Sequence, residues 1–262
     1  MKIGFFDSGI GGLTVLHQAL HDLPEEEYIY YADTDHVPYG QRSKEEILLY
    51  TEEAVRFLIR QDVKAIVIAC NTATSAAIEL LRRRYPLPIL GMEPAVKPAV
   101  AACSGKRVLV TATPLTIREE KLRNLLRQVD RKHAVDLLPL PGLVHFAEAE
   151  EFSSPAVYEY LQASFAPYDL NNYSALVLGC THFNYFKDLF SVLLPSGAKL
   201  IDGSQGTIRH LEEILRNKRL LASHSSSSGH VDYYFSGRKA ESPSELARFR
   251  RLHKRLEEML AY

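Results

Sequence analysis

Two short apolar runs, Ala65-Ile66-Val67-Ile68-Ala69 and Ala175-Leu176-Val177-Leu178-Gly179, each end on a cysteine, Cys70 and Cys180 respectively. Polar side chains follow at once: Asn71, Thr72 and Thr74 after the first, Thr181, His182 and Asn184 after the second. Runs of this length and composition read as buried parallel strands, whose carboxyl ends are where open α/β sheets bind their ligands. A single buried cysteine is most often a small core residue. Two thiols at equivalent strand ends, each with hydrogen-bonding neighbours, point to paired chemistry instead.

Three chemistries suit such a pair. Metal binding by Cys70, Cys180 and His182 lacks support from any close Cys-x-x-Cys or His-x-x-x-His spacing, so no metal is expected. A single cysteine nucleophile with His182 as its base leaves the second thiol without a task. Proton removal and return at one carbon uses both: an acid on one face and a base on the other invert a stereocentre. A thiol with a reference pKa of ~8.5 can serve in either state. Cys103 has no comparable setting and reads as structural.

Asp7-Ser8-Gly9-Ile10-Gly11-Gly12 is a glycine-rich turn between a strand and a helix, yet it matches neither GxGxxG nor the Walker A pattern. A carboxylate at that strand end repels phosphate and suits an ammonium group or a thiol's proton, so Asp7 and Ser8 are expected to face an amine. The turn Thr34-Asp35-His36-Val37-Pro38-Tyr39-Gly40 follows another strand, and the backbone N–H groups at Tyr39 and Gly40 could hold a carboxylate oxygen.

The elements that must position these groups alternate. Strands at Lys2–Phe6, Tyr28–Asp33, Ala65–Ala69 and Pro88–Met92 are separated by helices at Gly12–His21, Lys44–Gln61 and Thr72–Tyr85, with a capping box of Ser43 and Glu46. The pattern restarts with strands at Arg107–Thr111, Val135–Leu138, Ala175–Leu178 and Lys199–Asp202, and helices at Leu115–Gln128, Ser154–Phe165 and Asn184–Leu194. This predicts an α/β fold of two similar α/β domains with mainly parallel sheets. The first comprises residues 1–95 plus 207–262, on the Asp7 and Cys70 side. The second comprises 96–206, on the Cys180 and His182 side. Residues 223–229, rich in serine, read as a loop, followed by a strand at His230–Phe235. Ser242-Pro243-Ser244-Glu245 caps a last helix with Leu246, Phe249, Leu252, Leu256 and Leu260 on one face. Arg248, Arg250, Arg251, Lys254 and Arg255 on its other side are expected to face water.

The chain has 262 residues, 24% charged, with a formal net charge of −1, which gives no electrostatic reason to expect nucleic acid or an anionic membrane as partner. No apolar run approaches the ~20 residues that span a bilayer, and the amino terminus does not resemble a signal peptide. Three widely separated cysteines argue against a disulfide framework, and the expected compartment is the cytoplasm.

Asp7-Ser8-Gly9-Ile10-Gly11-Gly12, Val37-Pro38-Tyr39-Gly40, Cys70-Asn71-Thr72-Ala73-Thr74 and Gly179-Cys180-Thr181-His182-Phe183, in that order, resemble bacterial glutamate racemase over residues 1 to about 210. The resemblance implies cofactor-independent exchange of L- and D-glutamate, supplying D-glutamate to peptidoglycan, between two domains facing each other across a cleft. It implies Cys70 and Cys180 as the two proton carriers, assisted by Asp7 and His182. Asp7 and Ser8 would meet the amino group, while Tyr39, Gly40, Asn71, Thr72 and Thr181 would hold the carboxylates. Such proteins are often dimers, so a homodimer is compatible. The family's Phe-Val-Pro-x-Val-Glu stretch, whose glutamate lies near the second thiol, is replaced by Gly142-Leu143-Val144-His145-Phe146-Ala147-Glu148, in which Glu148 is the nearest match, with Glu150 and Glu151 close by. A racemase for aspartate or another acidic amino acid, and a binding protein that has lost turnover, are the alternative readings.

Overall fold

The computed structural model describes residues 1–103, 105–222 and 229–262. Its first half runs β1 (Ile3–Asp7), α1 (Leu13–Asp22), β2 (Tyr28–Ala32), α2 (Lys44–Arg60), β3 (Ala65–Ile68), α3 (Asn71–Arg84), β4 (Ile89–Gly91) and α4 (Val96–Ala102). The second runs β5 (Arg107–Ala112), α5 (Pro114–Arg118), α6 (Glu120–Val129), β6 (Val135–Pro139), α7 (Gly142–Glu148), α8 (Pro155–Phe165), β7 (Tyr173–Leu178), α9 (Lys187–Leu193) and β8 (Lys199–Ile201). The chain then returns through α10 (Ser204–Asn217), β9 (Val231–Phe235), β10 (Arg238–Lys239) and α11 (Pro243–Met259).

Two sheets result. One has the order β10-β9-β2-β1-β3-β4, the other β6-β5-β7-β8, and every pairing is parallel except β9 with β10. Strands β1, β2 and β3 are buried at every position, because helices cover both faces and leave no polar alternation. In the first sheet the chain passes from β1 to β2 on one side and to β3 on the other. In the second it passes from β5 to β6 on one side and to β7 on the other. Each sheet therefore has a switch in winding direction, between β1 and β3 and between β5 and β7. Adjacent connections leave a sheet in opposite directions there and open a crevice at the strands' carboxyl ends.

Several sequence-based expectations need correction. The helix expected over Leu115–Gln128 is two helices, broken where Glu119 is extended (φ −67°, ψ 140°). The break lets α5 pack on α3 and on the Tyr39–Gln41 turn while α6 lies against α4. The helix expected from Asn184 starts as a 3-10 segment, Thr181–Phe186, with every residue buried, and becomes α-helical only at Lys187. Helices α7 and α10 were not anticipated, and Met259 rather than Leu260 completes the apolar face of α11. Arg250, Arg251 and Lys254 are exposed as expected, Arg251 while also meeting Glu150, but Arg248 and Arg255 are partly buried and ion-paired to Glu150 and Asp188. The serine-rich stretch 223–228 lies outside the described residues. Among the described residues no helix is long and apolar enough to cross a membrane.

Candidate active site

Both thiols sit at the switch points. Cys70 follows β3 and is the N-cap of α3, its sulfur accepting from the Ala73 N–H at 3.4 Å and lying 3.7 Å from the Ser8 hydroxyl. A helix N-terminus favours a thiolate. Burial works the other way and wins: it pushes the Cys70 thiol up to about 12, with the neighbouring Asp7 charge adding to the effect. Cys70 is therefore held as a thiol at neutral pH.

Asp7 ends β1 and is fully buried. Its carboxylate accepts from the Gly9 N–H at 3.0 Å and from the Thr181 hydroxyl at 3.1 Å. Burial raises it to about 6, although the His182 charge and both hydrogen bonds oppose the rise. The glycines of the following turn are required by approach distance: a Cβ on Gly9 would stand 1.8 Å from Glu148 Oε1, and one on Gly12 would stand 2.5 Å from Asp7 Cβ.

Cys180 follows β7 and opens the 3-10 segment, whose tight winding brings His182 back onto it, with Nδ1 3.8 Å from the sulfur. The other ring nitrogen, Nε2, lies 2.7 Å from Glu148 Oε1, which also accepts from the Ile10 N–H at 2.8 Å. Burial alone would strip the imidazole of its proton. The partners Cys180 and Glu148 outweigh it together and hold His182 well above its usual range. Of the three candidate carboxylates near α7, Glu148 is the one on His182. Glu150 pairs with Arg248 and Arg251, and Glu151 accepts from Ser154 at 3.4 Å.

One cavity of about 20 Å³ separates the half-sites. Ser8, Tyr39, Gly40, Asn71, Thr72 and Thr181 line it together with both thiols and His182, whereas Asp7 and Glu148 stand behind this lining as supports. The Tyr39 hydroxyl donates to the buried Asp33 at 2.6 Å, which ties down the turn that presents the Tyr39 and Gly40 backbone. Asn71 carries a buried side-chain oxygen with no hydrogen-bond partner among the described residues, a group that a bound molecule's N–H would satisfy.

Sequence reasoning missed Gln41, Thr113 and Val144 in the lining. Thr113 ends the connection from β5, the strand opposite β7 across the second switch point, and hydrogen-bonds Thr72 at 3.1 Å. Its place at a strand end was the available signal. Gln41 meets His145 at 2.9 Å across the rim, a contact between segments that no local pattern relates.

Residues 11–211 match the Asp/Glu/Hydantoin racemase family model. The chain is 52% identical to a glutamate racemase of Lachnospira eligens, covering 99% of both chains. Crystal structures similar to it include glutamate racemase of Francisella tularensis with D-glutamate (TM-score 0.79, 28% identity, 98% of this chain and 93% of that one). Another is Escherichia coli glutamate racemase with L-glutamate and the activator UDP-MurNAc-ala (TM-score 0.80, 26% identity, 95% of each). The fold, the two strand-end thiols and these likenesses agree, and the chain belongs to the Asp/Glu/hydantoin racemase family, a family of isomerases, among its glutamate racemases.

Proposed function

We propose that this protein interconverts L- and D-glutamate by moving protons between the α-carbon and two thiols, Cys70 on one face of the substrate and Cys180 on the other. The observation that carries the reading is that thiols delivered by two different sheets line one cavity, each with its own titratable support. The supports are unlike. His182 stands with Nδ1 3.8 Å from the Cys180 sulfur and Nε2 2.7 Å from Glu148 Oε1, an imidazole hydrogen-bonding partner beside the second thiol that the first lacks. Cys70 is held as the thiol. In the forward step the α-proton passes to the Cys180 sulfur and the Cys70 proton passes to the opposite face of the same carbon. This leaves Cys180 as thiol and Cys70 as thiolate, the starting state for the reverse direction. Asp7, near pH 6 and close enough for its charge to act on Cys70, is suited to exchange a proton with that thiol.

Ser8, in the cavity lining, would meet the substrate ammonium, with the Asp7 carboxylate acting from behind it. The backbone at Tyr39 and Gly40, with Asn71, Thr72 and Thr181, would hold the carboxylates. Fixed donors lining the cavity would supply the carbanion's stabilisation, and the reaction is proposed to run without a cofactor. We place the division between two domains at residue 95, with 207–262 returning to the first, and the enzyme in the cytoplasm, feeding D-glutamate to peptidoglycan.

The test is racemisation of L-glutamate followed by circular dichroism. The parent should lose optical activity, with turnover intact after dialysis against chelator and removal of pyridoxal phosphate. Cys70→Ser and Cys180→Ser should each nearly abolish the reaction from either enantiomer, and parental turnover in either variant sinks the mechanism.

A further inference from the structure

We propose that Arg248, on the C-terminal helix, is a positioning residue for the Cys180 half-site, holding Glu148 in place from the other half of the molecule. Helix α11 carries two stripes. Phe249, Leu252, Leu256 and Met259 are buried, and Phe249 stacks on Tyr233 at 3.9 Å (16° between rings) and on Phe235 at 5.1 Å (19°), both in β9 of the first sheet. Beside that anchored stripe, Arg248, Arg251 and Arg255 face the second half of the chain, spaced so that they share one side of the helix.

Arg248 hydrogen-bonds the second half at two points and lies 4.0 Å from Glu148 Oε2 besides. Its Nη2 donates to the backbone oxygen of Glu148 at 3.0 Å, and its Nε donates to Glu150 Oε1 at 2.8 Å. Glu148 is the last residue of α7, where helix carbonyls lack partners within the helix, and Glu150 has φ 58°, so the chain turns sharply there. One planar guanidinium thus fixes both sides of the turn that sets where the Glu148 carboxylate points. That carboxylate has little freedom otherwise: it is 2.8 Å from the Ile10 N–H, 2.7 Å from His182 Nε2, and directly over Gly9. Arg248 is not part of the cavity lining. Arg255, one stripe position further on, bonds the Tyr185 backbone oxygen at 2.8 Å and Asp188 at 2.7 Å, securing the segment that carries His182. The helix is a brace from the first sheet to the supports of the second thiol.

The inference rests on the two-thiol reading, and isotope effects separate the two. When one proton transfer is slowed, that step limits turnover in both directions. The primary effect then grows with the α-deuterated enantiomer whose deuterium is lost in that step and shrinks with the other. Arg248→Ala should lower kcat about tenfold with little change in KM, the size expected of a small misplacement. It should also skew the isotope effects toward the same enantiomer as His182→Asn, and away from the one favoured by Asp7→Asn. Arg248→Lys should recover part of the loss, and Arg251→Ala, which removes only an outer contact to Glu150, should behave as the parent. Thermal unfolding of each variant identifies any that is simply unfolded. A kcat for Arg248→Ala within about twofold of the parent, or a fall without the His182→Asn skew, overturns the role of Arg248 and leaves the two-thiol reading standing. Parental racemisation by Cys70→Ser or Cys180→Ser overturns both.

Discussion

The Thr181 hydroxyl donates to Asp7 at 3.1 Å, a buried hydrogen bond that joins the two half-sites through their supporting residues and not through the thiols. Thr181 comes from the second sheet's switch point and Asp7 from the first, so the environment of the Asp7 carboxylate is complete only when both halves are in place. The bond favours the charged carboxylate, as does His182. Burial exceeds both, and the group rests near 6. An acid held there at neutral pH is ionised against the preference of its surroundings.

That has a sign in stability. The folded pKa of Asp7 is raised from 3.8 to about 6, so the native state binds a proton more readily than the unfolded chain. The stabilising contribution is fully present below 3.8 and is lost as pH rises through 6. At pH 7.5 the ionised carboxylate costs up to about 3 kcal/mol. Asp7→Asn keeps the shape and removes the charge, so it should be more stable than the parent at pH 7.5 by about 1–3 kcal/mol in urea unfolding, with the gap closing by pH 3.5. Racemisation should fall by about a hundredfold or more. Equal stability of the two proteins at pH 7.5 contradicts this account.

The strand-end thiols and the glycine turn were legible in the sequence because parallel strands are marked by unbroken apolar runs and their ends by an abrupt change to small or polar residues. The same logic placed Thr72 and Thr181 beside the cavity. What sequence could not choose was among Glu148, Glu150 and Glu151, since only the rotation of α7 and the sharp turn at Glu150 decide which carboxylate reaches His182. It also read the arginines of α11 as a solvated face, because the partners of Arg248 and Arg255 lie 98 and 67 residues away in the chain. The break at Glu119 was hidden for a related reason: its neighbours have helical preferences, and the packing of α5 on the Tyr39 turn overrides them.

The same pattern of burial gives His253 the opposite pH dependence. Burial, with the charge of His17 second, lowers His253 to about 4, so its folded pKa lies below the unfolded 6.5. Its contribution to stability is present above 6.5 and is lost as pH falls toward 4. In the parent this loss runs against the gain from Asp7 over nearly the same range. Asp7→Asn removes the gain, so its stability should fall more steeply than the parent's between pH 6.5 and 4. Parallel stability curves for the two proteins in that range would show that the Asp7 assignment is wrong.

The cap of α11 offers a structural change with no chemical one. Ser242 accepts from the Glu245 N–H while the Glu245 side chain reaches back to the cap, and Pro243 occupies the first turn. Ser242→Ala removes one side of this box and should cost about 1 kcal/mol, lowering the melting temperature by about 2–4 °C. The aromatic stack of Phe249 still seats the helix, so kcat should not change. A loss of turnover larger than the loss of stability would mean that the brace responds to fraying at its first turn.

Glycines separate site geometry from general stability. A Cβ on Gly11 would stand 2.5 Å from His182 Nδ1 and 2.5 Å from Thr181 Oγ1, both buried and hydrogen-bonded, so neither can move without disturbing a half-site. Gly11→Ala should therefore lower kcat by about a hundredfold and destabilise the fold by about 1–3 kcal/mol. Gly206, inside α10, has nothing within 4 Å of its position for a Cβ. Gly206→Ala should stabilise by about 0.5–1 kcal/mol through helix preference alone, with turnover unchanged. Measured side by side in urea unfolding and in the circular dichroism assay, the two alanines should move in opposite directions. A Gly11→Ala enzyme with parental kcat would mean that His182 can leave its present position against Cys180 without consequence, and the half-site geometry would then not be the one that carries the reaction.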